Sequence, residues 1–146
     1  MHQLQFVSLI HAPVETVFRF HERPDAIRLL TPWFLFPRFE RLKGAGLEVG
    51  VELLITTGFL TRWHARHTAY EKNRLFVDEM VSGPMRAWRH EHRFEPVGAH
   101  CRLIDSIAYE PKGPRWLVEA GLRWLFRYRH RITREYCEGI RPLPLG

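Results

Sequence analysis

From about residue 38 to residue 109 the chain alternates with period two, and that pattern limits its fold more than any other feature. Val51, Leu53, Ile55 and Thr57 alternate with Glu52, Leu54 and Thr56; Trp63, Ala65, His67 and Ala69 alternate with Arg62, His64, Arg66 and Thr68. LFVDEMV (75–81), MRAWRHEHRFEP (85–96) and CRLIDSIAY (101–109) continue it. Successive side chains of a strand point to opposite faces, so each segment reads as a strand with two distinct surfaces. Gly50, Gly58, Lys72-Asn73, Ser82-Gly83-Pro84 and Val97-Gly98 supply turn residues between them. Short strands joined by tight turns predict an antiparallel meander.

The flanks are of a different kind. HQLQFVSLIH (2–11) reads as a first strand ended by Ala12-Pro13. Pro13 suits a helix start, and Val14, Val17 and Phe18 share one helical stripe in PVETVFRFHE. Pro24 interrupts that helix, and PDAIRLL predicts a second short one that stops before Pro32. TPWFLFPRF (31–39) is aromatic and broken by prolines, and reads as an apolar loop or lid. Residues 113–139 carry a helical pattern in which Leu117, Gly121, Trp124, Tyr128, Ile132 and Tyr136 make one stripe and Arg123, Arg127, Arg131 and Arg134 another. Gly139 and Pro142 end it. With no repeat or linker, residues 1–146 read as one domain.

A curved sheet with one apolar face needs a cover, and the terminal helix is long enough to cross it. The expected fold is α+β: a curved antiparallel sheet of about seven strands, two short helices and a long C-terminal helix.

Bulk properties exclude several classes. No apolar run is long enough to span a bilayer. MHQLQFVSLIHAP lacks a basic segment followed by an apolar core, so no secretory signal is expected and the cytoplasm is the default location. Cys101 and Cys137 stand apart with no metal-ligand spacing and fit a reducing compartment. The net charge of +6 is mostly arginine and densest in RYRHRITR (127–134), which makes an anionic membrane surface, or RNA or a ribosome, a candidate partner. No GxSxG occurs, and GAGLEVG (44–50) lacks the lysine of a phosphate loop.

Four stretches together resemble the START/birch-pollen-allergen (SRPBCC) superfamily of helix-grip domains, in particular its bacterial cyclase/dehydrase-like and coenzyme-Q-binding-like members. They are IHAPVETVFRF (10–20), LFVDEMVSGPMRAWRHEHRFEP (75–96), CRLIDSIAYEP (101–111) and the basic last helix. The patterns IxAPxxxVF, GPxxxWxHxHxF and DxxxY occur in that order along nearly the whole chain. The resemblance implies a START-like grip of sheet around helix, with a lipid, isoprenoid quinone, sterol-like or polyketide-like ligand between them. It does not choose an activity, because one fold hosts many functions.

The candidate site lies on the strand faces. Trp88, His90, His92 and Phe94 share one surface of their strand; Cys101, Leu103, Asp105, Ile107 and Tyr109 share one of the next. A turn at Val97-Gly98-Ala99 sets 88–94 against about 101–107 and brings His90 or His92 to Asp105. A buried Asp105 needs such a partner, because an unpaired buried charge is costly. The pair reads either as a polar staple fixing register or as an acid/base dyad whose burial shifts both groups. On strand 75–81 either face carries an acid; the larger Phe76/Met80 set favours Asp78 inside. His90 and His92 with Asp105 or His67 would make a partial metal set, but no HExxH or third ligand at fixed spacing accompanies them. No metal and no cofactor is expected.

Trp63, Trp88, Phe94, Tyr109, Trp124 and Tyr128 fall on expected inward surfaces, with Gly121 making room beside Trp124. Apolar walls with a few polar groups are the composition of a small-molecule pocket. The expected pocket is therefore lined by these aromatics with His67, Asp78, His90, His92 and Asp105, and has Trp33, Phe34 and the Phe59-Leu60 turn at its mouth. The expected function is binding of a hydrophobic small molecule. The rivals are a cyclase, dehydratase or isomerase working through Asp105 with His90 or His92, and a partner module acting through Arg123, Arg127 and Arg131.

Overall fold

The structure is a computed structural model that describes residues 1–58 and 61–145. Strand β1 (His2–Ile10) leads through helix α1 (Val14–Glu22) and the single-turn α2 (Ala26–Leu29) to a 3-10 turn at Trp33–Leu35. Strands β2 (Pro37–Lys43), β3 (Glu52–Thr57), β4 (Thr61–Glu71), β5 (Leu75–Ser82), β6 (Met85–Val97) and β7 (His100–Pro111) follow, and helix α3 (Arg115–Cys137) closes the chain. Among the described residues the seven strands form one antiparallel sheet in the order β1-β7-β6-β5-β4-β3-β2. The meander pairs neighbours in sequence, and β1 returns to the edge of β7, which leaves β1 and β2 as the two borders.

Two departures from the sequence reading concern β2 and β4. The end of the proline-broken stretch 31–39 is not loop: Phe36 takes a left-handed backbone (φ 50°), and the chain enters β2 at Pro37. Pro37 is tolerated because β2 is a sheet edge, where a missing N–H costs no ladder bond. In β4 the register shifts between His64 and Ala65 and again between His67 and Ala69. The second shift, which leaves Thr68 of β4 unpaired, lets His67 and Tyr70 both turn inward although they are three residues apart. Asn73 (φ 60°) and Gly98 (φ 60°) make the left-handed turns of the β4–β5 and β6–β7 hairpins.

The inner face divides into zones. Val14, Val17 and Phe18 of α1 pack with Ile10, Phe76, Phe94, Cys101 and Leu103, with Phe18 edge-on to Phe94 at 5.0 Å. Leu122 and Phe126 of α3 pack with Leu4, Met85, Trp88, Ile107 and Tyr109. Phe20, Leu30 and Ile132 join α1, α2 and α3. Truncating one of the fully buried rings costs about 3–5 kcal/mol, so these contacts hold the helices to the sheet.

The first half of helix α3 is rotated relative to the stripe expected from its aromatics, whereas in the second half Ile132 is buried and Tyr128 and Tyr136 pack beside it as that stripe predicts. Leu117, Gly121 and Trp124 are exposed, and the face toward the sheet is Leu122, Phe126, His130 and Thr133. Apolar residues surround most of this helix, so periodicity alone leaves its facing ambiguous. The packing decides it: Leu122, Phe126 and His130 recur every four residues and settle over β1 and the centre of the sheet. Gly121 makes no room beside an inward Trp124, since nothing lies within 4 Å of where its Cβ would stand.

Candidate functional site

At the centre of the inner face, under α3, lies a cluster of imidazoles and carboxylates. Register builds it: His92 of β6 is directly opposite Asp105 of β7 and Phe76 of β5, and His90 is opposite Asp78. His67 of β4 is in turn opposite Asp78. A sheet places cross-strand neighbours about 5 Å apart, so four strands deliver five polar side chains to one spot. Helix α3 adds His130, and α1 adds His21, whose ring centroid is 6.3 Å from that of His92.

Asp105, only 4% exposed, is the hub. Its Oδ1 accepts from His90 Nε2 at 2.6 Å and lies 3.1 Å from His92 Nδ1, and its Oδ2 accepts from His130 Nε2 at 2.6 Å. The other nitrogen of His130 pairs with Ser8 Oγ of β1 at 2.7 Å. Asp78 Oδ2 accepts from His92 Nε2 at 3.0 Å and faces His90 Nδ1 at 3.5 Å. Among the described residues no buried side-chain nitrogen or oxygen is without a partner.

The titration of these groups follows from burial against pairing. Burial pushes both carboxyls up, but the surrounding imidazoles outweigh it. His92's hydrogen bond and the charges of His90 and His92 hold Asp78 at about 2, and His90, His130 and His92 hold Asp105 well below the usual range. His92 loses charge stability to burial yet gains more from Asp105 and Asp78, and rises to about 8. His90 is lowered, by burial and then by its His92 neighbour. His21, whose Nδ1 donates to the Val17 carbonyl at 2.8 Å, is driven by burial to about 4 and stays neutral. Both carboxyls are ionised at neutral pH and the imidazoles between them carry unlike protonation.

Aromatic rings wall the cluster. Phe76 stacks on His92 at 3.9 Å, and Phe126 stands edge-on to His90 at 5.0 Å and stacks on Phe6 at 5.1 Å. Trp88 meets Trp63 at right angles at 4.9 Å. The space directly beneath α3 is thus occupied by side chains. Toward β2 and β3 the same face is less covered: Phe39, Leu53, Ile55, Trp63 and Met80 are each half-buried. At the border of this strip the 3-10 turn exposes Trp33 (79%) and lays Phe34 against Trp124 of α3 at 5.8 Å.

A sequence-family profile described as a domain of unknown function, DUF8410, matches residues 8–136. The chain belongs to that family. No curated protein sequence matches this DUF8410 chain. Three solved structures share its fold. One is TTHA0849 from Thermus thermophilus, at 16% identity over 97% of this chain and 100% of that one, with a TM-score of 0.69. Another is Ara h 8.0201, at 13% identity over 94% and 98%, with a TM-score of 0.72. The third is a nucleoside-diphosphate sugar epimerase from Corynebacterium glutamicum, at 23% identity over 90% of this chain but 28% of that one, with a TM-score of 0.69. These likenesses place the DUF8410 chain in the helix-grip fold of the birch-pollen-allergen type.

Of the residues singled out in sequence, His67, Asp78, Trp88, His90, His92 and Asp105 meet on the inner face, with Trp63 at its open side. Tyr109 is buried at the near end of the sheet and its hydroxyl donates to Glu119 Oε2 at 3.2 Å, away from the cluster. Tyr128 is half-buried: it packs against the Phe20, Leu30 and Ile132 cluster and stacks at 6.0 Å on Trp124, which lies exposed on the outer side of α3 with Gly121. The Phe59-Leu60 turn lies outside the described residues. His130, His21 and Ser8 escaped the sequence reading. His130 sits among arginines in RYRHR, and only its spacing of four and eight from Phe126 and Leu122 marks it as inward.

Proposed function

We propose that this domain binds an amphiphilic small molecule, of the lipid, quinone, sterol or polyketide kind, on the inner face of β2–β5. One observation carries the reading: a half-buried apolar strip, Phe39, Leu53, Ile55, Trp63 and Met80, that ends at the buried imidazole–carboxylate cluster. The strip would take the apolar body, worth about 2.5 kcal/mol for each 100 Å² removed from water. His67, Asp78 and His92 stand at its inner end to orient a polar group. The exposed Trp33, Phe34 and Trp124, with Arg123, Arg127 and Arg131 on the same helix, form a rim suited to an anionic membrane surface from which such a ligand is drawn.

Organic extraction of the purified chain, with mass analysis of what is released, tests this directly. Titration with a long-chain quinone or fatty acid, followed by quenching of Trp63 and Trp88, gives the affinity. Saturable binding that Ile55→Arg or Leu53→Arg abolishes supports the reading. Failure of every amphiphile to bind a well-folded chain refutes it.

The 2.6 Å contact of His90 with Asp105 also favours a second reading, an acid/base catalyst of the cyclase, dehydratase or isomerase kind. It predicts turnover of a bound carbonyl compound that Asp105→Asn removes while ligand binding persists.

A further inference from the structure

We propose that Asp78, His90 and His92 bind one divalent first-row transition-metal ion. Sequence spacing offered only the two histidines, with Asp105 or His67 as the candidate third donor. The fold supplies Asp78 instead, from the neighbouring strand. Asp78 Oδ2 lies 3.0 Å from His92 Nε2 and 3.5 Å from His90 Nδ1, and all three donor atoms lie within 4.8 Å of one another. Metal–nitrogen and metal–oxygen bonds of about 2.1 Å put tetrahedral donors about 3.4 Å apart, so an ion fits with small side-chain rotations.

The surroundings of these donors make a second, independent argument. Each histidine directs one nitrogen to Asp78 and the other to the same oxygen of Asp105: His90 Nε2 at 2.6 Å and His92 Nδ1 at 3.1 Å. A carboxylate holding the far N–H of each ligating imidazole is the arrangement that orients metal-bound histidines and fixes their tautomers. Asp105 is itself held from behind by His130, whose other ring nitrogen pairs with Ser8. With both imidazoles neutral and donating to Asp105, a divalent ion balances the charges of Asp78 and Asp105, and every ring nitrogen has a partner.

The donor set also limits the metal. Two imidazoles and one carboxylate suit zinc, iron(II), cobalt or nickel, whereas calcium and magnesium favour oxygen donors. Three protein ligands leave coordination positions open, the pattern of a reactive rather than a structural site. Nearby, His67 lies opposite Asp78 on β4 and is held by the Leu47 carbonyl at 2.9 Å, and the His21 ring centroid is 6.3 Å from that of His92. Metal binding depends on the three ligands and their support, and stands or falls separately from occupancy of the apolar strip.

The full chain, stripped with a chelator, is titrated with Zn²⁺ by calorimetry and with Co²⁺ by visible absorption. The expected result is saturable binding of one ion per chain. Asp78→Asn and His92→Gln should each weaken it by at least about tenfold, and Asp105→Asn by about 10–100-fold. A surface pair, His11 and His100 with ring centroids 4.7 Å apart, is the competing site, and His100→Gln should leave binding intact. Should the interior variants not fold, imidazole NMR of the wild-type chain replaces them: Co²⁺ should shift the His90 and His92 signals and spare those of His11 and His100. Absence of saturable binding at about 100 μM metal overturns the proposal. Binding lost in His100→Gln and kept in Asp78→Asn overturns it equally, as do paramagnetic shifts confined to His11 and His100.

Discussion

Replacing Asp105 by asparagine isolates the charge at the hub from its geometry. The amide oxygen can take the place of Oδ1 and still accept from His90 and His92. The amide nitrogen then faces His130 Nε2, which can accept if its proton moves to Nδ1 and is donated to Ser8 Oγ, 2.7 Å away. No polar atom need be orphaned, so the cost is electrostatic. Hydrogen bonds to a charged acceptor are worth about 1.5–3 kcal/mol against about 0.5–1.5 for neutral ones, a loss of about 1 kcal/mol at each of three imidazoles. The expected destabilisation is therefore about 3 kcal/mol, or about 6–12 °C in Tm for a chain of this length. Urea and thermal unfolding of the chelator-treated protein measure it. Asp105→Leu, which leaves three N–H donors without an acceptor, should cost several kcal/mol more and threaten folding altogether. If the asparagine variant lies within about 0.5 kcal/mol of wild type, Asp105 is not held ionised by its imidazoles and the account of the cluster is wrong.

Three further outcomes probe other parts of the molecule. Phe126→Ala should lose about 3–5 kcal/mol whereas Trp124→Ala, on the outer face of α3, should lose less than about 1; equal losses would restore the stripe expected from sequence. Gly121→Ala should stabilise the chain by about 0.5–1 kcal/mol, because nothing lies within 4 Å of the added methyl and helix entropy favours alanine; a lower Tm would count against an exposed position. His21 has a folded pKa of about 4 against 6.5 for the free side chain, so the unfolded chain takes up its proton first. Stability it contributes is full above pH 6.5 and lost as pH falls toward 4, by about 3 kcal/mol in total. His21→Phe should flatten the fall of urea stability over that window, and an unchanged slope would show the imidazole to be charged in the folded state.

Much of the architecture was legible because backbone periodicity is local. Alternation in 51–57, 62–69, 75–81, 85–96 and 101–109 specifies strands whatever surrounds them, and Gly98 and Asn73 mark hairpins by their left-handed backbones. The short hairpin at Val97-Gly98 also made the approximate register of β6 on β7 legible, hence the meeting of His90 or His92 with Asp105; the structure brings both to it. Alternation from about residue 38 pointed to edge strand β2, but Pro37 hid its start, since proline argues against a strand unless one knows that the strand lies at a border. In α3 the sequence carries more apolar side chains than one face can bury, so it could not say which would turn inward.

What the sequence determined by itself was the set of elements and the two faces of each strand, because both follow from backbone geometry and nearest neighbours along the chain. Which polar groups would meet was decided only by tertiary structure. His130 reaches Asp105 across 25 residues and Ser8 reaches His130 across 122, and Asp78 joins His90 and His92 through the pairing of β5 with β6. Such a cluster is stable only when all its members are assembled, since each buried charge needs the others. Its composition is therefore a property of the folded whole and of no single segment.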